Sequence, residues 1–174
     1  MATKERALGS IFNVIPVIMP KDLSSGASTG IRIDMKNATT CSFVIFAGAG
    51  TAGDDLVIDL QEHSAASGGT SQDLDTVTEY FKVSETTLDG DETWTRITQA
   101  AASETTDATG TTAEEQNIFV VEVRHDQLSD GFRWLSVNIP DLGAAGTKYG
   151  GALAILTGLR FQGKPERLPT GLGS

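Results

Sequence analysis

Apolar side chains recur at every second residue along this chain far more often than at helical spacing. That period is the signature of strands with one buried face. Ile31-Arg-Ile-Asp-Met-Lys36 sets Ile31, Ile33 and Met35 on one face and three charges on the other. Cys41-Ser-Phe-Val-Ile-Phe-Ala47 is an apolar run of strand length, rich in β-branched and aromatic residues, and reads as a central strand. Further strands are expected over 56–61, 77–83, 93–98, 118–124, 132–139 and 152–162, the last for its Ile155/Thr157/Leu159/Phe161 alternation and its glycines. The stretch 11–19 is extended too, and Pro16 confines it to a sheet edge or an arm. The pattern predicts an all-β fold: an antiparallel β-sandwich of roughly eight strands, for which a jelly roll is one arrangement, with one short helical turn.

That turn is expected at 127–130, with Asp126 as its N-cap and Gly131 free to adopt a left-handed conformation and release the chain into the next strand. Between strands the sequence is small and polar. Residues 64–71 read as a flexible loop and 99–116 as a long loop without apolar periodicity. The organisation expected is an extended N-terminal arm over 1–20, one sandwich domain over 21–162 and a tail over 163–174. A chain of 174 residues is long enough for a real core.

Charge is uneven. Residues 54–130 carry 18 acidic and 3 basic side chains, and the two flanks together carry 5 acidic and 10 basic, within a net charge of −10. An acidic solvated face accounts for this, and so does a pair of basic ends that dock on something acidic. The balance argues against binding a phosphate backbone. No apolar run is long enough for a membrane-spanning helix, and the N-terminus is a poor match to a signal peptide. Cys41, the single cysteine, has no partner for an internal disulfide and reads as a small buried apolar residue.

Candidate chemistry is thin. Gly48-Ala-Gly-Thr-Ala-Gly53 has the spacing of a dinucleotide fingerprint, but strand alternation follows it where a helix N-terminus should face the pyrophosphate. Asp89-Gly-Asp-Glu92 lacks the ligand spacing of a calcium loop. Asp59, Glu62 and Asp75 read as ordinary surface acids. His63 and His125 are the two imidazoles available to a hydrolytic triad, and neither is framed by a nucleophile motif. No catalytic, cofactor-binding or metal-binding residue is assigned. Phe132 and Trp134 lie on the opposite face of their strand from Leu135, Val137 and Ile139. They are either the second buried face or exposed aromatics of the kind interfaces use.

The order of several segments resembles small virion structural proteins of tailed bacteriophages, of the head-decoration (capsid cement) or head-associated type. The segments are 43–53, Leu60-Gln-Glu-His-Ser-Ala-Ala-Ser-Gly-Gly69, Thr93-Trp-Thr-Arg-Ile-Thr-Gln99, Val121-Glu-Val123, Asp126-Gln-Leu-Ser-Asp-Gly-Phe132 and Gly158-Leu-Arg-Phe-Gln162. The resemblance covers about 41–162 and implies a non-enzymatic, homo-oligomeric protein of the virion, assembled in the host cytoplasm. Its partner would be the major capsid protein, with no nucleic acid, membrane or cofactor involved. A tail or tail-tube subunit and a carbohydrate-binding sandwich using Trp94 or Trp134 are the alternatives. The contacts expected for docking are the cations Lys4, Arg6, Arg160, Lys164 and Arg167, the arm residues Ile11, Phe12, Val14 and Ile15, and the aromatics Phe132 and Trp134.

Overall fold

The computed structural model describes residues 12–106, 112–143 and 146–160. Its strands are β1 Asn13–Asp22, β2 Ser28–Thr29, β3 Ile33–Asp34, β4 Thr40–Ala47, β5 Asp59–His63 and β6 Ser71–Asp73. They continue with β7 Val77–Glu85, β8 Thr95–Ala102, β9 Gln116–Arg124, β10 Trp134–Ile139 and β11 Tyr149–Thr157. Among the described residues the helical pieces are three short 3-10 turns, at Leu23–Ser25, Met35–Asn37 and His125–Gln127.

The strands form two sheets. One has the order β1-β11-β4-β9-β7-β8, and the other β2-β10-β5-β6, with β3 also on β10. All the strand pairs are antiparallel. Taking β2 and β3 as one broken strand, β1-β11-β4-β9 faces β2/β3-β10-β5-β6, and the chain alternates between the sheets in the order of an eight-stranded jelly roll. The hairpin β7-β8 is inserted between β6 and β9 and widens the first sheet to six strands.

Side-chain alternation explains why the sheets pack. In β4, Cys41, Phe43, Ile45 and Ala47 point inward and are buried, as do Phe119, Val121 and Val123 of β9 and Ala152, Ala154 and Leu156 of β11. Leu60 of β5 and Leu135, Val137 and Ile139 of β10 close on them from the other sheet, each at 0% exposure. The Tyr80 ring stacks on Phe119 with centroids 5.7 Å apart, and its hydroxyl donates to the Thr106 carbonyl at 2.6 Å, so a large ring is buried without a stranded polar atom. Truncating a ring such as Phe43 to alanine in a core of this kind costs about 3–5 kcal/mol.

Several expectations are corrected in detail. The strand foreseen at 31–36 is only Ile33–Asp34, because the Asp34 carboxylate accepts the Lys36 N–H at 2.9 Å and turns Met35–Asn37 into a 3-10 turn. The turn after β9 occupies His125–Gln127, earlier than foreseen, and Asp126 does not cap it. The Gln127 amide oxygen accepts the Arg124 N–H at 2.7 Å, while Asp126 forms an ion pair with Arg124. Gly131 does take the left-handed conformation, with φ +87°. Residues 99–102 of the supposed long loop belong to β8, and 13–20 of the supposed arm belong to β1, which lies along β11. Edges are short or interrupted. β2 and β3 have 2 residues each, β6 has 3, β1 carries Pro16 and Pro20, and β8 holds two extra residues opposite the Val77–Glu79 step.

Cys41 lies at 0% exposure on the inner face of β4, and burial pushes its thiol far above its ordinary pKa. A thiol reagent should leave the folded protein unmodified at pH 8 and react with one equivalent of thiol once urea unfolds it. Rapid modification under native conditions would show that the sandwich opens around β4.

Candidate interaction surface

The two outer faces of the sandwich differ in chemistry. On the five-stranded sheet the outward residues are polar and joined in one hydrogen-bonded chain. Arg32 Nη2 donates to Ser71 Oγ at 3.1 Å, and Ser71 and Ser136 hydroxyls flank the His63 ring at 2.7 Å from Nδ1 and 2.9 Å from Nε2. Ser136 Oγ donates onward to Asn138 Oδ1 at 3.4 Å, and Asn138 Nδ2 donates to Asp59 at 3.3 Å. With the Ser136 proton directed to Asn138, His63 Nε2 must be the donor to Ser136 and Nδ1 the acceptor from Ser71. Every donor then points from the Arg32 guanidinium toward the Asp59 carboxylate.

Each nitrogen of the His63 ring therefore faces a hydroxyl and not a carboxylate. In the Ser-His-Asp arrangement the second nitrogen meets a carboxylate, whereas here it meets the hydroxyl of Ser136, a residue 1% exposed. Burial and the nearby Arg32 charge both lower the His63 pKa, against a smaller opposing pull from Glu62. Glu62 itself is not the surface acid expected. It points inward at 1% exposure, and its carboxylate accepts from Gln72 Nε2 at 2.7 Å and the Ser129 N–H at 2.8 Å, pinning the turn before β10. His125 is exposed in its turn, and its backbone N–H donates to the Thr39 carbonyl at 2.9 Å.

The glycine and carboxylate motifs lie in connections between strands. Residues 48–58 pass from β4 to β5 without a helix, so the glycine spacing at 48–53 has no helix N-terminus behind it. Gly50 instead lets the chain lie against Lys148 and the Ala113 carbonyl, where a Cβ would come within 3.0 and 3.1 Å. The Lys148 ammonium, buried at 0% exposure, donates to the carbonyls of Thr112, Ala113 and Glu115 at 2.6, 2.9 and 3.3 Å. Burial lowers its pKa, and Asp54, Asp55 and Glu115 resist that shift. Asp89, Asp91 and Glu92 gather their carboxylates within 4.8 Å in an exposed turn, where Glu92 accepts the N–H groups of Asp89 and Gly90.

The outer face of the six-stranded sheet has an apolar centre bordered by the exposed charges Glu79, Arg96, Glu122 and Arg124. Register places Pro16, Leu153, Val44, Val120, Phe81 and Arg96 side by side, one from each strand, in a row that crosses the whole sheet. A second row runs Val14, Ile155, Ser42 and Glu122, and a third runs Gly151, Phe46 and Ile118. Gly151 has a packing reason: a Cβ there would stand 3.3 Å from the Phe46 ring and 2.9 Å from the Ile18 carbonyl. Val14, Phe46 and Phe81 remain 45%, 37% and 36% exposed. At the β7–β9 side a groove of about 180 Å³ is lined by Thr76, Thr78, Glu79, Tyr80, Phe81, Val120, Glu122 and Gln127. Arg96 is held by Glu79, and Glu122 accepts the Ser42 hydroxyl at 2.8 Å.

Of the docking residues foreseen from sequence, Val14 lies on this apolar face. Ile15, its neighbour, turns into the core at 1% exposure and cannot make an external contact. Trp134 is removed as well: it is 5% exposed, on the polar outer side of β10, with the Arg133 guanidinium 5.2 Å above its ring and Asp34 holding that arginine at 2.9 Å. Phe132 and Phe12 are half-buried, and Arg160 is exposed. Lys4, Arg6, Ile11, Lys164 and Arg167 lie outside the described residues. Trp94 is 54% exposed, just before β8. Sequence reasoning missed Val44, Phe46, Phe81, Val120, Leu153 and Ile155. The signal was present in the unbroken apolar runs of β4, β9 and β11, which have too few polar positions for a sheet wetted on one side.

The direction of the His63 shift fixes a pH dependence. As pH falls below about 6.5 the unfolded chain takes up a proton that folded His63 resists, so stability declines until the folded-state pKa is also passed. The urea midpoint should drop between about pH 7.5 and pH 5.5, and His63→Gln should flatten that slope. An equal slope in the variant would assign the dependence to other groups.

Comparison of the chain with protein-family models, with curated proteins and with solved structures returns no match in any of the three.

Proposed function

We propose that this protein is a non-enzymatic structural protein of a tailed-phage virion that binds the assembled head as a decoration subunit. The observation that carries a structural role is the apolar row across the outer face of the six-stranded sheet, in which five of six strands present a carbon surface to solvent. Such a patch is characteristic of a protein whose work is contact. The virion assignment rests on the sequence resemblance over 41–162. The polar outer face supports it by its chemistry, since its histidine and serines are committed to one another and not aimed at a substrate. A sugar platform on Trp134 is disfavoured by the arginine that covers it.

In this reading the basic ends of the chain steer the protein toward an acidic lattice, while the apolar arm residues Ile11 and Phe12 add contact area. Exposed ion pairs contribute only about 0–1 kcal/mol each, so charge sets orientation and encounter rate more than strength. Purified protein added to heads that lack it should bind, with occupancy falling as salt rises. Deleting residues 1–11 and 161–174 together, which leaves β1 and β11 intact, should lower occupancy about tenfold at a fixed protein concentration. Failure of the intact protein to bind any head overturns the proposal, and unchanged occupancy after both deletions overturns the role of the ends.

A further inference from the structure

We infer that the apolar outer face of the six-stranded sheet is covered by the same face of a second copy of this chain, so that the subunit is a face-to-face homodimer. The inference rests on reading the protein as an assembly component and adds the occupant of its main contact surface.

Area is the first argument. Strands β4, β9 and β11 have 8, 9 and 9 residues. At about 3.3 Å per residue and about 4.8 Å between strands, a six-stranded face measures roughly 27 by 29 Å, or about 800 Å². That is the area each partner contributes to a standard stable interface, about 800 Å². The whole face, polar margins included, is thus of the size a stable dimer needs.

Charge is the second. The chain carries −10, yet the charged residues in and beside these rows are Glu122, Arg96 and Glu79. Arg96 is paired with Glu79, and Glu122, which accepts the Ser42 hydroxyl, lies to one side of the apolar row, so the middle of the face, Leu153, Val44 and Val120, carries no charge. A strongly charged partner would find little here to complement it, whereas an identical surface satisfies the contact on both sides by two-fold symmetry. Leu153, Val44 and Val120 stand at the centre of the row, so side chains from the two copies can interdigitate as they do between the sheets of a sandwich, about 10 Å apart.

Sedimentation velocity of the full chain, from low to high micromolar concentration, should show a species of twice the chain's mass. Val44→Lys combined with Leu153→Lys should raise the dissociation constant about 100-fold or more, while Thr29→Lys on the exposed edge of the opposite sheet leaves it unchanged. Circular dichroism establishes that the variants fold. Hydroxyl-radical footprinting of the unmutated protein gives an independent reading: Phe46, Phe81 and Leu153 should become protected as concentration rises. A monomer at every concentration, or a dimer untouched by the double substitution, overturns the inference. Protection of these residues only when heads are added also overturns it, and leaves head binding standing. A dimer that binds no head leaves the inference standing and removes the decoration role.

Discussion

The pairing of β4 on both of its edges is the constraint from which the rest of the molecule follows. Residues 40–47 are matched one for one with 150–157 of β11 and with 117–124 of β9, without a bulge on either side. A slip of one residue in either ladder would send Phe43 and Ile45 to solvent and bring Ser42, Val44 and Phe46 inward. Because both registers are fixed, the inner sides of three adjacent strands form a continuous surface, and the outer sides do so as well. The core and the external apolar row are products of the same ladder, seen from its two sides.

Much of the architecture could be read from the chain before the structure, because alternation reports directly on a sheet with a buried side. β4, β7, β9 and β10 lie close to where their apolar patterns put them, and the glycine-rich region after β4 turns without a helix. Two-residue strands such as β2 and β3 carry no periodicity to read. Their places are set by contact with β10, which comes about a hundred residues later. The wrong cap at 126 has a local cause. Asp126 is a good capping residue in isolation, but an arginine two positions earlier competes for its carboxylate and holds it below the usual carboxylate range. Glu62 was misread because nothing in the sequence reveals that its carboxylate folds inward to accept the Ser129 N–H of a turn 67 residues later.

The contact surface was harder to read than the fold. Burial patterns identify the inward side of a strand, and an apolar outward side looks like deeper burial until the neighbouring sheet is located. Ile15 and Val14 show the difficulty in one step of chain: they are adjacent and similar in type, yet one is core and the other surface. Trp134 shows it in reverse, since an aromatic on the solvent side is closed off by the arginine next to it. Chemistry on the opposite face is self-contained for a related reason. A directional chain from Arg32 to Asp59 uses each hydroxyl and amide for the next link, which leaves His63 neutral and orients Ser71 and Ser136 toward it.

The guarded sheet margins limit the shapes that many copies can make. A protein whose outer strands accepted further strands could extend in the hydrogen-bonding direction without end, as a ribbon or a fibril. Here the prolines of β1, the brevity of β2, β3 and β6 and the interruption in β8 blunt that direction. Stacking of one broad face on another is different in kind, since a pair so formed has used up the surface that made it. The geometry therefore favours small closed assemblies that stop growing once complete.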